Sequence, residues 1–261
     1  MEAGVAFLMY HELELPGRSL CQADPGYTRY IVAASEFERQ MRHLKSAGYQ
    51  GVSVGQAMEF SNGFKVALTF DDGCETDLVA AVPILSALGF GATFYATVGF
   101  LGQRGYLTEG KLRQLSDAGF EVGCHSMTHP YLSDMDEAGL RREITDAKTR
   151  LEQIIGRSVE HFSCPGGRFD ERVIHMAKQS GYSTLATSRP HLNFKISDPY
   201  CLGRIAILRH TTQDELTRIC AGRGFWKLNA QQTVQSTAKR LLGNRVYDRL
   251  RSLLLGDPVS K

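Results

Sequence analysis

The sequence predicts an α/β fold in which parallel strands alternate with outer helices and curl into a barrel. Short apolar runs typical of buried strands recur along the chain. Amphipathic stretches lie between them, and four of these end alike, on a glycine followed by an aromatic residue, which is typical of a helix end. About seven or eight such units favour a closed or nearly closed barrel over an open sheet.

Eight segments are predicted to be strands. They are 5–9, 51–54, 66–70, 92–95, 120–124, 161–164, 183–186 and 204–208. Helices are predicted from their ends. Ser35 and Glu38 form a capping box that begins a helix, and this helix ends at Gly48. Thr212 and Glu215 form a second capping box, which begins another helix. A longer helix is predicted over 136–155. In barrels of this kind, chemistry is expected at the carboxyl ends of the strands.

Two adjacent carboxylates, Asp71 and Asp72, follow the predicted strand 66–70 directly, with Gly73 after them. Successive side chains of a strand point to opposite faces, so the two carboxylates leave the strand in different directions. One could bind a cation while the other handles protons. Taken alone, the pattern also fits a strand that ends in an Asp-Gly turn.

Two histidines, His125 and His129, follow the predicted strand 120–124 with a spacing of four residues. At this spacing they can face one cation from a single helical turn, and a carboxylate completes a three-ligand site. Three protein ligands leave a position open for water, whose pKa a metal lowers. The histidine pair therefore predicts a catalytic metal site together with the carboxylates.

The composition excludes some classes of function. The net charge of +2 gives no indication of a nucleic-acid surface. The first residues lack a basic stretch, and no segment reaches the ~20 apolar residues of a membrane span. We expect a cytoplasmic protein without a signal peptide. None of the six cysteines forms a C-x-x-C pair, so their spacing predicts neither a zinc ribbon nor a redox motif.

The chain is expected to divide into a barrel over 1–225 and a basic, amphipathic helical tail over 226–261. The tail combines five leucines with several arginines and a lysine between residues 239 and 254. It could pack on the barrel, or it could contact a membrane surface or a biosynthetic complex.

Three motifs resemble those of the polysaccharide deacetylases, the family with the NodB-homology domain, also called carbohydrate esterase family 4. They are T-F-D-D-G at 69–73, H-S-x-x-H at 125–129 and S-C-P-G-G at 163–167. The resemblance covers roughly residues 5–221, and the opening L-M-Y-H and the segment 36–49 are typical of the bacterial exopolysaccharide branch. It implies a distorted (β/α)7 barrel.

The resemblance also implies an activity and a set of roles. Asp71 would be the catalytic base, while Asp72, His125 and His129 would hold a divalent metal, usually zinc. The implied enzyme is a hydrolase of carbon–nitrogen bonds that removes N-acetyl groups from amino sugars of an exopolysaccharide or cell-wall glycan and releases acetate. Pro165 and Gly166 would contact the substrate, and the N–H of Gly166 would bind the oxyanion.

The sequence departs from the family pattern in two places. The third motif usually opens with an arginine that pairs with the base, and here that position is Ser163. Arg204 is the first candidate to replace it, also assigned to the substrate site, and Arg168 is the second. The late motif that supplies a histidine is not clear either, which leaves His11 and His210 as candidates for the general acid; His11 is also assigned to the substrate site.

Two other functions remain open at this stage. A related amide hydrolase that acts on a formamido-sugar lipid or a cyclic imide would carry a similar set of motifs. A catalytically inactive sugar-binding relative is the other alternative. The four residues Asp71, Asp72, His125 and His129 argue against it, because a binding protein needs no base beside a metal.

Overall fold

A computed structural model describes residues 4–60 and 63–224 of the chain. The predicted tail over 226–261, and with it the boundary at residue 225, lie outside these residues. None of the helices in the described ranges is long and apolar enough to cross a bilayer.

The main sheet contains eight parallel strands. Numbered with a separate two-stranded sheet, the strands are β1 (Ala6–Tyr10), β2 (Leu13–Glu14), β3 (Val32–Ala33), β4 (Gln50–Val52), β5 (Lys65–Phe70), β6 (Thr93–Ala96), β7 (Glu121–Cys124), β8 (His161–Ser163), β9 (Thr184–Ala186) and β10 (Ile205–Ala206). Their order is β10–β1–β5–β6–β7–β8–β9, and β4 pairs with the first half of β5. A parallel bridge joins Ala186 of β9 to Leu202, just before β10. The sheet therefore curls into the distorted barrel that the sequence predicts.

Helices cover the outside of this sheet. They are α1 (Pro25–Thr28), α2 (Ala34–Ser46), α3 (Val54–Met58), α4 (Val82–Leu88), α5 (Glu109–Asp117), α6 (Glu137–Leu140), α7 (Ala147–Ile155), α8 (Glu171–Gln179) and α9 (Gln213–Cys220). Wider π-type turns precede α4 over Asp77–Ala81 and join α6 to α7 over Arg141–Asp146.

Strand β5 shows how the sheet separates the core from the site. Val66, Leu68 and Phe70 belong to the large hydrophobic cluster shared with the helices, whereas Ala67 packs with residues of the barrel interior. Thr69 contacts a buried arginine and also faces inward. By the same alternation, Asp71 follows Ala67 and Thr69 on the inner face, at the end of the strand.

Several local predictions can be compared with the structure. The capping box at Thr212 and Glu215 is confirmed, with both reciprocal hydrogen bonds present. The one at Ser35 is wrong, because α2 begins at Ala34, two residues earlier than this capping box implies, and its N-cap, Ala33, has no side chain that can accept a hydrogen bond. The predicted strand 51–54 ends at Val52, and Ser53 caps the short helix α3 instead.

Candidate active site

The polar side chains predicted from separate motifs meet at one end of the barrel. Asp71 and Asp72 follow β5, His125 follows β7, and Ser163 is the last residue of β8. Because these strands are parallel and β5, β6, β7 and β8 are consecutive in the sheet, their carboxyl ends share one rim. The predicted clustering is therefore confirmed.

Arg204 reaches this rim from inside the barrel. It precedes β10, whose first residue pairs with Leu8 in the middle of β1, so its backbone lies below the rim. Its guanidinium donates hydrogen bonds of 2.7 and 2.8 Å to the two carboxylate oxygens of Asp71. It also donates to Ser163 Oγ at 2.7 Å and, through Nε, to the carbonyl of Thr187 at 3.0 Å.

The pairing predicted for Arg204 is thus present. The arginine side chain is 0% exposed and its guanidinium is bonded to Asp71 and Ser163. This burial favours a role in positioning Asp71 over direct contact with a substrate. Arg168, the other candidate, instead stacks its guanidinium on the Tyr131 ring at 3.7 Å.

The buried arginine decides the charge of Asp71. Burial alone would raise the pKa of this carboxyl group, but the positive charge of Arg204 and its hydrogen bonds outweigh that effect. The pKa of Asp71 is held well below its usual range. Asp71 is consequently an ionised, fixed acceptor.

Asp72 adopts an unusual backbone conformation. Its φ is 81°, in the left-handed region that non-glycine residues seldom occupy. This residue lies two positions beyond the end of β5, where the chain turns. Burial, above all, raises the pKa of Asp72 to about 6, and its Oδ1 atom accepts no hydrogen bond from the described residues.

His125 is held in one orientation by the third motif. Its Nδ1 lies 2.8 Å from the backbone carbonyl of Ser163, so Nδ1–H donates and the lone pair of Nε2 faces the carboxylates. Nε2 is 3.7 Å from Asp71 Oδ2 and 3.6 Å from Asp72 Oδ1. Burial lowers the pKa of His125 to about 3, which keeps the ring neutral, as a metal ligand must be.

The second histidine arrives on a strained loop. Residues 125–129 contain no helical turn, so the expectation that both histidines lie on one helical turn is wrong. Ser126 and His129 instead have φ values of 70° and 64°. Two positive φ values fold the loop back, and His129 N donates to Ser126 Oγ at 2.9 Å. His129 Nε2 then lies 3.4 Å from Asp72 Oδ1. Strain concentrated at a functional site is a common pattern.

The buried carboxylate of Glu143 braces this loop. It accepts from Thr128 N at 2.7 Å and from Thr128 Oγ1 at 2.8 Å. Glu143 lies in the π-type segment between α6 and α7 and is 0% exposed. The hydroxyl of Ser163, which accepts from Arg204 and lies 3.3 Å from Asp71 Oδ2, is a second supporting group that the sequence does not reveal.

The residues at the rim fit a divalent metal. One ligand atom each from Asp72, His125 and His129 lie within 4.8 Å of one another. Asp72 Oδ1 is a buried carboxylate oxygen without a hydrogen bond, and such an atom is costly unless a cation or a proton meets it. One carboxylate with two imidazoles suits zinc and similar metals and leaves a coordination position open.

His11 lies beside the carboxylates, as expected for one candidate acid. It follows β1 as an electrostatic neighbour of both Asp71 and Asp72, and its ring centroid lies 5.0 Å from that of Tyr30. The other candidate, His210, is exposed and lines a surface depression with Glu36 and Arg39 at the start of α9. The structure therefore brings His11, and not His210, to the site.

The third motif forms a tight turn beside the rim. Pro165 is buried, and Gly166 has a φ of 60°. A Cβ atom at Gly166 would come within 2.9 Å of the Tyr131 ring, so the turn and this aromatic side chain are closely packed. The position suits a backbone that a substrate approaches closely.

Comparison with known proteins gives a consistent result. Residues 61–185 match the family described as polysaccharide deacetylase. The chain is similar to the YxkH protein of Bacillus subtilis, with 26% identity over 211 residues, which cover 78% of this chain and 72% of that protein. It is 34% identical over 125 residues to a peptidoglycan-N-acetylglucosamine deacetylase of Bacillus cereus, covering 47% of this chain and 56% of the relative.

A solved structure shares the fold of this chain, and the match covers almost the full length of that structure. The Streptococcus pyogenes deacetylase PplD, solved in complex with acetate, matches with a TM-score of 0.74 and 22% identity, over 84% of this chain and 99% of that chain. The chain spans little more than half of the length of the Bacillus cereus relative.

Proposed function

We propose, from the match of residues 61–185 to the polysaccharide deacetylase family, that this chain is a metal-dependent hydrolase that removes N-acetyl groups from the amino sugars of a polysaccharide or oligosaccharide. One observation carries the proposal. An ionised Asp71, fixed by a buried arginine, stands beside a set of three metal-ligand side chains that does not include it.

The two carboxylates have separate roles in this proposal. Asp72, His125 and His129 hold the metal, and the hydrogen bond from His125 Nδ1 to Ser163 fixes the imidazole that binds it. When bound, a divalent metal supplies a Lewis acid that polarises the acetamide carbonyl and lowers the pKa of a water molecule. Asp71 takes the proton of the attacking water, because it is the carboxylate left outside the ligand set.

Cleavage of the amide bond also needs a proton donor for the leaving nitrogen. An amide nitrogen is a poor leaving group until it is protonated, so a general acid must stand near it. We assign this role to His11, which faces the carboxylate pair from the end of β1. The backbone N–H of Gly166, in the turn after β8, is assigned to the developing oxyanion.

The class of glycan is the finer part of the proposal. Proteins similar to this chain include enzymes named for peptidoglycan and for chitooligosaccharides. N-acetylglucosamine is common to both, which supports an N-acetylated glucosamine unit as the substrate. The opening L-M-Y-H segment supports an exopolysaccharide over a wall polymer.

The experiment is acetate release from a panel of N-acetylated oligosaccharides, with and without a chelator. The proposal expects release that the chelator abolishes and added zinc restores. His125→Ala should lose both metal and activity. Release of formate from a formamido sugar, or opening of a cyclic imide, with no acetate release from any glycan would contradict it.

A further inference from the structure

A second group of metal-ligand atoms lies beside the active site but shares no residue with it. Cys21 Sγ and Cys74 Sγ are 3.6 Å apart, and a carboxylate oxygen of Glu12 completes a set within 4.8 Å. Cys74 and Glu12 are buried, whereas Cys21 is partly exposed. All six cysteines are free thiols in the described part of the chain.

A further acidic group lies in the same region. Asp77, at the start of the π-type segment before α4, is fully buried, and neither of its carboxylate oxygens has a hydrogen-bond partner. Burial raises its pKa well above the usual range, and Asp72, followed by Cys21 and Glu12, adds to the effect. An unpartnered buried carboxylate is costly, so this region needs positive charge or protons.

The basic side chains nearby supply that charge only in part. Burial raises the pKa of Glu12, and the charge of Arg18 offsets this effect without reversing it; both Arg18 and Lys111 form ion pairs with Glu75. Among the described residues, the carboxylate of Glu12 accepts hydrogen bonds from the backbone N–H of Cys21, at 3.1 and 3.0 Å. Two thiols and the Glu12 carboxylate therefore lie together, and no basic side chain of the described residues forms an ion pair with Glu12.

We propose that Glu12, Cys21 and Cys74 form a second site for a thiophilic divalent cation of the zinc class, with the buried carboxylate of Asp77 as an acidic neighbour. The sulfur separation fits this use. Tetrahedral zinc with Zn–S bonds of about 2.3 Å places two sulfurs about 3.7–3.8 Å apart, whereas a disulfide needs about 2.05 Å. Thiolate ligands select zinc and its soft analogues over magnesium or calcium.

The site would fix one wall of the active site. Cys74 lies two residues after Asp72, and its Sγ contacts that of Cys21, 53 positions away in the sequence. Tyr27 Oη contacts Cys74 Sγ at 3.5 Å, and its ring meets that of His11 edge-on at 6.4 Å. A cation here would join these two segments without taking part in the reaction, and partly exposed Cys21 gives it an entry path.

Cadmium titration of the full chain tests the proposal, because Cd²⁺ bound to thiolates gives an ultraviolet charge-transfer band. The band should saturate at one equivalent of Cd²⁺ per chain and should disappear in Cys21→Ser and in Cys74→Ser. It should persist in the double variant His125→Ala/His129→Ala, which separates this site from the first. Cys201→Ser, another partly exposed cysteine, is the matched control and should retain the band.

Zinc analysis provides a second measurement. The wild-type chain should lose about one equivalent of zinc on substitution of Cys21, a partly exposed residue whose replacement by serine is mild. A band that survives both Cys21→Ser and Cys74→Ser, or that never forms, would overturn the proposal. So would a Cys21–Cys74 disulfide, with no bound zinc, in protein purified without reductant.

Discussion

Arg204 and Asp71 are 133 positions apart in the sequence, yet both oxygens of the carboxylate are hydrogen-bonded by the same guanidinium. The pair is buried, and Arg204 is anchored in turn by the carbonyl of Thr187 and the hydroxyl of Ser163. A bidentate pair fixes direction as well as charge. The proposed catalytic base is therefore held rigidly from below, and its outer surface is left for the reaction.

Removing this arginine should impair catalysis but not metal binding. In Arg204→Ala we expect turnover to fall on the order of 10²-fold, since a misplaced catalytic group costs about that much. The acidic limb of the pH–rate profile should move to higher pH, because Asp71 loses the cation that favours its ionised form. Metal content and the pH–rate profile, measured together, check this.

The controls for this prediction come from the same region. Arg209→Ala removes a partly exposed arginine that pairs with Glu14, and it should change neither the turnover nor the acidic limb of the pH–rate profile. Arg204→Lys retains the charge and should lie between wild type and Arg204→Ala. Wild-type turnover with an unmoved acidic limb in Arg204→Ala would remove Arg204 from the site. Because breaking a buried ion pair costs about 3–5 kcal/mol, folding is checked by thermal unfolding.

Glu143 should matter for metal affinity although it does not reach the metal site. Its carboxylate fixes Thr128, the residue before His129. Glu143→Ala should weaken metal binding by about 10–100-fold, as loss of a group that orients a ligand commonly does. Metal titration monitors the effect, and Glu137→Ala, at an exposed position of α6, is the control. Equal affinities in the two variants would contradict the role.

A separate carboxylate gives a prediction about stability and pH. Glu121 lies at the start of β7, away from the rim. It accepts hydrogen bonds from Ser53 Oγ at 3.0 Å, Gly55 N at 3.1 Å and Thr93 Oγ1, and His161 Nε2 lies 3.5 Å away. Burial alone would raise the pKa of Glu121, but the contact with His161 and these hydrogen bonds lower it.

The lowered pKa fixes the sign of the effect. Glu121 stabilises the fold fully above its unfolded pKa, about 4.3, and the contribution is lost as pH falls through the lower folded value. Glu121→Gln should cost about 1–3 kcal/mol near pH 7 and flatten the decline of the unfolding free energy below pH ~4. Urea unfolding at several pH values measures both. Parallel curves for wild type and Glu121→Gln would contradict the assignment.

Much of the fold was predictable because its signals are local. The glycines at positions 48, 89, 119, 156 and 181 all have the positive φ values expected at helix ends. Apolar runs located the strands of the main sheet to within one or two residues of their observed ends. The sheet of β2 and β3 was not predicted, since strands of two residues carry no periodicity.

The site was predicted in its members but not in its geometry. Two motifs predicted Asp71, Asp72, His125 and His129 as site residues. Because position 163 is a serine where the family usually has an arginine, Arg204 was proposed as the replacement. The sequence could not show that Ser163 itself would contact the base, the arginine and His125, because those contacts depend on how four strands meet. Glu143 and the strained backbone at Asp72 likewise depend on the tertiary structure.

The division of roles between the two neighbouring carboxylates is the central claim, and one measurement tests it directly: metal content beside turnover in Asp71→Asn and Asp72→Asn. Asp71→Asn should keep the metal and lose on the order of 10²–10⁴ in rate, as expected for a general base. Asp72→Asn should lose the metal, because a neutral amide is a poorer ligand than a carboxylate. If Asp71→Asn lost the metal while Asp72→Asn kept it, the roles would be reversed. If both variants kept metal and turnover, the account of this site would be wrong.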